Sequence, residues 1–253
     1  MTTTQLAGKA VIVTGGGTGI GRATARAFAE QGAQVLVVGR TASSLTETAR
    51  DRPGIRVLTV DIAAHEAPAL VVRAAMTEFG RIDVLVNNAA VVRRAVDGHL
   101  ARAAAEDVLA TNLLAPMYLT EAALPHLVDT SGLVVNVSTS IGQRGWPLPD
   151  ATLYAAGKSA LEALTRSWAV QFAPRGVRVV AVAPGPVATP IGQHQGLTVE
   201  ENEVLRRRLI AHVPLGRIGE PAEVAFWIVA LAQPGAAYTT GVVLPVDGGA
   251  VVG

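Results

Sequence analysis

Residues 9–21 constrain the fold of this chain more than any other stretch. Lys9 to Thr14 (Lys-Ala-Val-Ile-Val-Thr) runs directly into Gly15-Gly16-Gly17-Thr18-Gly19-Ile20-Gly21, and a segment with Ala23, Ala27 and Phe28 at helical spacing follows. The valine-rich run reads as a short buried strand and the segment after it as a helix. A strand, a glycine turn and a helix in succession make an anion site. Without side chains the turn lets backbone N–H groups approach a phosphate, and the positive helix N-terminus faces it. The spacing is Thr14-Gly15-x3-Gly19-x-Gly21; the commoner Gly-x-Gly-x-x-Gly does not fit, because Ile20 or Arg22 stands where its last glycine falls. The candidate phosphate contacts are Gly15, Gly17, Thr18, Gly19 and Ile20.

Strand-like runs recur at 34–39, 55–60, 82–86, 133–137, 177–182 and 242–246, and helix-periodic stretches occupy 67–79, 107–127 and 154–172. Pro116 is expected to kink the second of these helices or force a local adjustment. Half of the 253 residues are hydrophobic but only 4% are aromatic, so the core must be built from Ala, Val, Leu and Ile. Alternating valine-rich strands and alanine-rich helices predict a doubly wound α/β fold. Its parallel sheet would have seven strands, with six helical segments covering both faces, in a single domain over 1–253. No repeat, low-complexity segment or linker interrupts it.

Composition excludes several functions. A formal net charge of +1 gives no field for nucleic acid, and the absence of cysteine removes disulfides, thiol chemistry and Cys-based metal sites. The five histidines show no ligand spacing, so no metal is expected. Every apolar run is cut short of the ~18 residues that spanning a membrane needs. Met1 to Leu6 carries no basic region followed by an apolar run, so no export signal is expected. A cytoplasmic protein is the expectation.

The second strand ends in Gly39-Arg40-Thr41, with no Asp or Glu. In dinucleotide sites a carboxylate here binds the adenosine ribose, whereas an arginine accommodates a 2′-phosphate. Arg40 therefore predicts NADP(H) as the preferred cofactor, with NAD(H) as the alternative. One region breaks the alternation: about 190–217 is polar and carries Glu200, Glu201, Glu203 and Arg206-Arg207-Arg208 on a short helix. It leaves from the carboxyl end of a strand, where open parallel sheets bind ligands, and is read as a substrate lid. The arginine run is read first as a solvated face, with an acidic substrate as the alternative.

Tyr154-Ala155-Ala156-Gly157-Lys158 heads the 154–172 helix. Residues four apart share a helix face, so the Tyr154 hydroxyl and the Lys158 ammonium should enter one site. A fixed cation there would lower the tyrosine pKa toward neutrality, as a general acid–base tyrosine needs.

Taken together these motifs resemble the short-chain dehydrogenase/reductase family over nearly the whole chain. The resemblance rests on Thr14-Gly15-x3-Gly19-Ile20-Gly21, Asp61, Asn87-Asn88-Ala89, Asn112, the hydroxyl cluster at 138–140, Tyr154-x3-Lys158, Pro184-Gly185-x-Val187-x-Thr189 and the terminal Asp247-Gly248-Gly249, in that order. It implies that Asp61, beside Ile62, contacts the adenine, and that Asn87, Asn88 and Ala89 line the cofactor. Pro184, Gly185, Val187 and Thr189 would meet the nicotinamide carboxamide or the phosphates. Tyr154 would exchange a proton with a substrate oxygen while hydride passes between nicotinamide and carbon. Lys158 would hold the ribose, and Asn112 would support a water relay. The implied assembly is a homotetramer, with a homodimer as the alternative.

Three departures from the family pattern stand out. Ala90 replaces a glycine, which a backbone-lined wall should tolerate. Gly39 stands where NAD-preferring members carry Asp. Counting along Val135-Asn136-Val137-Ser138 puts Thr139 in the place of the catalytic serine, with Ser140 as the alternative because the loop from Gly142 to Tyr154 is two residues longer than usual. Ser138 is expected to bond backbone at the strand end. Trp146 is read as a pocket wall or loop anchor, and Trp168 and Trp227 as core or subunit interface.

The reading is an NADP(H)-dependent oxidoreductase that interconverts a ketone and a secondary alcohol of small-molecule size. A 3-oxoacyl-[acyl-carrier-protein] reductase is the first rival, though Leu127-Val128-Asp129-Thr130-Ser131 lacks the basic residues expected for a carrier protein. The others are a non-catalytic cofactor sensor, and an epimerase or dehydratase of the extended fold, which the glycine spacing disfavours.

Overall fold

The structure is a computed structural model that describes residues 5–93, 95, 99–143, 151–190 and 198–253. Seven strands form one sheet in the order β3-β2-β1-β4-β5-β6-β7: β1 Ala10–Thr14, β2 Gln34–Gly39, β3 Ile55–Thr59, β4 Val84–Asn87, β5 Leu133–Val137, β6 Arg178–Pro184 and β7 Val243–Val246. All pairings are parallel, with register such as Ile12↔Leu36 and Leu85↔Val134. The expected seven-stranded, doubly wound sheet is therefore present, and strand ends differ from the expected ones by one or two residues.

The central strands β1, β2, β4, β5 and β6 are buried on both faces, so their side chains divide by parity, while the edge strands β3 and β7 are partly exposed. Val11, Val13, Val35 and Val37 pack with Phe28 of α1 (Gly19–Glu30) and Ile228 of α8 (Pro221–Ala232). Ile12, Leu36 and Leu85 face the other way, toward Val71 of α3 (Ala67–Phe79), Leu127 of α5 (Ala115–Asp129) and Trp168 of α6 (Thr152–Phe172). The remaining helices are α2 (Ala42–Ala49), α4 (Arg102–Leu109) and α7 (Val199–Ile210). Local chemistry sets the ends of these helices. Gly80 ends α3 at φ 70°, which only glycine adopts without strain. A reciprocal Thr198–Glu201 capping box starts α7.

The helix expected at 107–127 begins earlier, at Arg102, and joins α5 through a π-helical turn, Ala110–Leu114. The Ala115 N–H donates to the Ala110 carbonyl five residues back. Pro116 follows at once and has no N–H of its own, so the expected adjustment is an extra residue in the turn. Trp168 is core and stacks on Phe172 at 6.1 Å, whereas Trp227 lies exposed against Phe226.

Strand order reverses between β1 and β4, and a crevice opens there at the carboxyl ends of the strands. The glycine turn leaves β1, and Asn88 leaves β4, at this point. No helix among the described residues is long and apolar enough to cross a membrane, and no group of three potential metal ligands occurs among them.

Candidate active site

A cleft of about 1600 Å³ runs along this edge of the sheet. At its floor the turn after β1 is folded by its own glycines. Gly15 has φ +64°, and a Cβ on it would lie 2.8 Å from the Ala89 Cα; one on Gly21 would lie 2.2 Å from the Gly15 carbonyl oxygen. The Asn88 amide donates to the Thr14 carbonyl at 2.8 Å and to that of Gly15 at 3.3 Å. The Thr14 hydroxyl receives the N–H groups of Asn88 (3.0 Å) and Ala89 (3.1 Å). Asn88 therefore lines the cleft with its side chain engaged in clamping the phosphate turn, and Thr14 is a hub that the motif alone did not reveal.

Gly15, Gly17, Thr18, Gly19 and Ile20 all line the cleft. Thr18 caps α1 without a side-chain hydrogen bond, and no acidic residue occupies the first turn. The helix N-terminus is thus left for an outside acceptor, and the turn fits a dinucleotide pyrophosphate. Arg40 is exposed on the cleft wall beside Thr41 and Ser44. Asp61 and Ile62 form the next part of the wall, and the Asp61 carboxylate also accepts the Ala63 N–H at 3.0 Å. Ala89 and Ala90 continue it. Pro184, Gly185, Val187 and Thr189 line the opposite side.

Tyr154 and Lys158 come from the first turns of α6 and both reach the cleft. Lys158 is buried, its Nζ donates to the Val137 carbonyl at 2.6 Å, and burial pushes its pKa down to about 8. Burial pushes the Tyr154 phenol up to about 12, and a hydrogen bond with the Thr139 side chain only partly opposes this. The expected lowering of Tyr154 by Lys158 is therefore not met in this geometry. Desolvation outweighs the opposing hydrogen bond, so burial and not the Lys158 charge sets the direction.

Thr139 lines the cleft, 5% exposed. Ser140, the alternative, is fully buried, does not line the cleft, and its Oγ finds no hydrogen-bond partner among the described residues. Ser138 was expected to bond backbone. Its Oγ does lie 3.4 Å from the Lys158 carbonyl, but its shorter bond, 2.7 Å, goes to the carboxylate of Glu162. Glu162 was not foreseen, although the spacing Tyr154, Lys158, Glu162 repeats every four residues and carried the signal.

Asn112 lies in the π turn, fully buried and outside the cleft lining. Its amide accepts the Val91 N–H and donates to the Val91 carbonyl, both at 2.8 Å. That pins the pocket wall at Val91 and engages the Asn112 side chain there, outside the cleft lining. Val91 and Val92 line the cleft, while Val96, Trp146 and most of the 142–153 loop lie outside the described residues. Of the expected lid at about 190–217, residues 191–197 lie outside the described residues, and Pro190 and much of α7 line the cleft. Arg206 and Arg208 sit there beside Glu200 and Glu203, so the rim is mixed in charge.

The family model described as enoyl-(acyl carrier protein) reductase matches residues 15–251. This span takes in the glycine turn, the Tyr154 helix and the last strand. The chain belongs to the short-chain dehydrogenase/reductase family. It is 36% identical to the 3-oxoacyl-[acyl-carrier-protein] reductase FabG of Thermotoga maritima, over 98% of this chain and 100% of that one. It is 35% identical to the L-xylulose reductase of Bos taurus, over 97% of each. Among solved structures it resembles a short-chain dehydrogenase/reductase of unknown function from Caenorhabditis elegans, determined with cofactor, at TM-score 0.90 and 32% identity, covering 97% of this chain and 96% of that one. The 3-ketoacyl-(acyl-carrier-protein) reductase from Brucella melitensis complexed with NADH gives TM-score 0.89 and 28% identity, over 98% of this chain and all of the other. The chain is thus an oxidoreductase on a nucleotide-binding Rossmann fold.

Proposed function

We propose that this short-chain dehydrogenase/reductase is NADP(H)-dependent and interconverts a small ketone and a secondary alcohol. The observation that carries the reading is the convergence of Tyr154, Lys158 and Thr139 on one cleft with the glycine turn. The nicotinamide, when bound, would supply or accept the hydride. Thr139 and Tyr154 both line the cleft in which a substrate oxygen would sit. Tyr154 gives its proton to that oxygen in reduction, and Thr139 stabilises the charge that develops on it. Lys158, released from Val137, holds the ribose and stabilises the phenolate that remains. The carbonyl of Asn112 or its neighbour in the π turn holds the water that returns the proton. Gly15, Gly17, Thr18, Gly19 and Ile20 bind the pyrophosphate, Asp61 and Ile62 the adenine, and Arg40 the 2′-phosphate. Ala89, Pro184, Gly185, Val187 and Thr189 surround the nicotinamide, and 190–217 closes over the substrate.

A second reading, reduction of a 3-oxoacyl group on a carrier protein, is favoured by the Thermotoga maritima relative. The absence of basic residues at 127–131 weighs against it. A homotetramer is the assembly we favour over a homodimer. Exposed Tyr118 on α5, Val170 on α6, and Phe226 and Trp227 on α8 support buried contacts between copies. Light scattering would test the assembly.

The deciding experiment follows NADPH and NADH oxidation against small ketones, diketones, 3-oxoesters and a 3-oxoacyl carrier protein, with Tyr154→Phe as control. Turnover of small ketones with NADPH preferred, lost in the control, is the expected result. Turnover confined to the carrier-bound substrate would favour the second reading, and turnover undiminished in the control would overturn the mechanism.

A further inference from the structure

Glu162 is a buried carboxylate that the chemistry above does not use. It is 6% exposed on α6, and carboxylates are rarely taken so far from water without partners. Its Oε1 is held by neutral donors, the Ser138 hydroxyl at 2.7 Å and the Gln143 amide at 3.0 Å. These donors bracket Thr139. Ser138 precedes it at the end of β5, and Gln143 closes the 3₁₀ turn Ser140–Gln143 that follows it. The same short segment is tied to α6 again by Ser159, whose Oγ donates to the Gly142 carbonyl at 3.3 Å. The fit is close, since a Cβ on Gly142 would lie 2.6 Å from that Oγ.

We propose that Glu162 is a positioning residue that holds segment 138–143 so that the Thr139 hydroxyl meets the Tyr154 hydroxyl. The inference rests on the reductase reading above. Glu162 stands eight residues after Tyr154 on the same inclined i, i+4, i+8 ridge of α6, about 12 Å along the axis. One rigid helix therefore carries both the proton donor and the anchor of its companion hydroxyl. A loop that bears a reacting group is imprecise unless its own contacts fix it, and a displacement of about 1 Å can lower turnover by as much as 10²-fold. Because both donors meet the same oxygen, an amide in place of the carboxylate can still accept both hydrogen bonds.

The test compares Glu162→Leu, Glu162→Gln and Gln143→Ala in the full chain, using NADPH and a ketone that the wild type reduces. Glu162→Leu should lower kcat about tenfold or more while the KM for NADPH stays within about twofold, since the nucleotide floor is untouched. Glu162→Gln should retain at least about half of kcat. Gln143→Ala removes one donor from the surface side, should lower kcat by about threefold, and gives the reading if Glu162→Leu does not fold. A Glu162→Leu protein with a lowered Tm but unchanged kcat, a Gln143→Ala protein with unchanged kcat, or a Glu162→Gln protein as impaired as Glu162→Leu would each overturn the assignment. A wild type that binds NADPH and reduces no compound would instead overturn the reductase reading, and this inference with it.

Discussion

The side chains of Thr139 and Tyr154 meet at the wall of the cleft, where the Thr139 hydroxyl partly offsets the effect of burial on the tyrosine. Two hydroxyls so placed can address a single substrate oxygen from two directions. Ser140, the next residue in the chain, is buried behind this pair. Thr139→Ala should therefore lower kcat by about 10²-fold, the usual effect of removing one oxyanion donor. Thr139→Ser should keep most of the activity, and Ser140→Ala should fall within about twofold of wild type because its Oγ bonds to nothing among the described residues. Steady-state kinetics on the three variants checks this, and a larger loss at Ser140 than at Thr139 would reverse the assignment.

Arg40 stands exposed on the wall with Thr41 and Ser44 and no carboxylate between them. Replacing it by Ser should raise the KM for NADPH by about tenfold or more, the value of one charge-assisted hydrogen bond to phosphate, and leave that for NADH nearly unchanged. Added salt should weaken NADPH binding to the wild type more than to the variant.

Lys158 illustrates a conflict between activity and stability. Its pKa is about 8 against an ordinary 10.5, because burial penalises the ammonium. Between those values the unfolded chain binds a proton that the folded chain does not, so this group makes stability rise with pH across that window. Below it the full penalty is present. Lys158→Met should abolish turnover yet, without nucleotide, stabilise the fold at pH 7 by about 2 kcal/mol, after allowing for the lost bond to Val137. That corresponds to a rise of about 4–8 °C in Tm. Thermal melts at pH 7 and pH 10 check the sign: the gain should shrink at the higher pH.

At the opposite end of the sheet, Asp83 is almost fully buried and accepts bonds from Arg81 Nε and Nη2 at 2.7 Å each, Lys9 Nζ at 2.9 Å and the Ala10 N–H at 2.9 Å. Burial alone would raise its pKa, but these donors outweigh that and hold it below the ordinary 3.8. The stabilisation is complete above the unfolded pKa and is lost as pH falls through the lower, folded one. Asp83→Asn should cost about 1–2 kcal/mol at pH 7, since the charge-assisted bonds to the half-exposed Arg81 and Lys9 are weakened while those two cations remain solvated. It should also flatten the acid limb of the stability curve without changing kcat. Urea melts at several pH values would check it.

What the sequence made legible here is local. The parity of Val11, Ile12 and Val13 names a strand buried on both faces, and the glycines that follow it name the anion turn, because each depends on neighbours in the chain. The spacing of Tyr154 and Lys158 placed both on one wall for the same reason. Less legible was whatever depends on several elements meeting. The rise in the Tyr154 pKa comes from burial, which no helix face announces. The choice between Thr139 and Ser140 turns on one rotation after β5, since successive residues there point to opposite sides. Asn88 fell on the right wall, but its clamp on Thr14 needs β1 and β4 to be adjacent, which the strand order decides. Glu162 was readable as spacing and silent as chemistry until Ser138 and Gln143 came to it.

The π turn at Ala110–Leu114 has a consequence for how this protein can change. One added residue turns everything beyond it by about 100° around the helix axis. The turn thus lets a single rod satisfy two aims out of phase, with Asn112 directed at Val91 while Ala115, Leu119 and Ala123 face the core. Substitutions along the rod are absorbed one at a time, but its length comes in whole residues. Removing any one residue between Leu109 and Ala115 would restore ideal hydrogen bonding and swing one half of the rod away from its partners. The irregular turn therefore fixes the spacing between pocket wall and core as a matter of counting, and insertions and deletions meet a barrier there that amino-acid exchange does not.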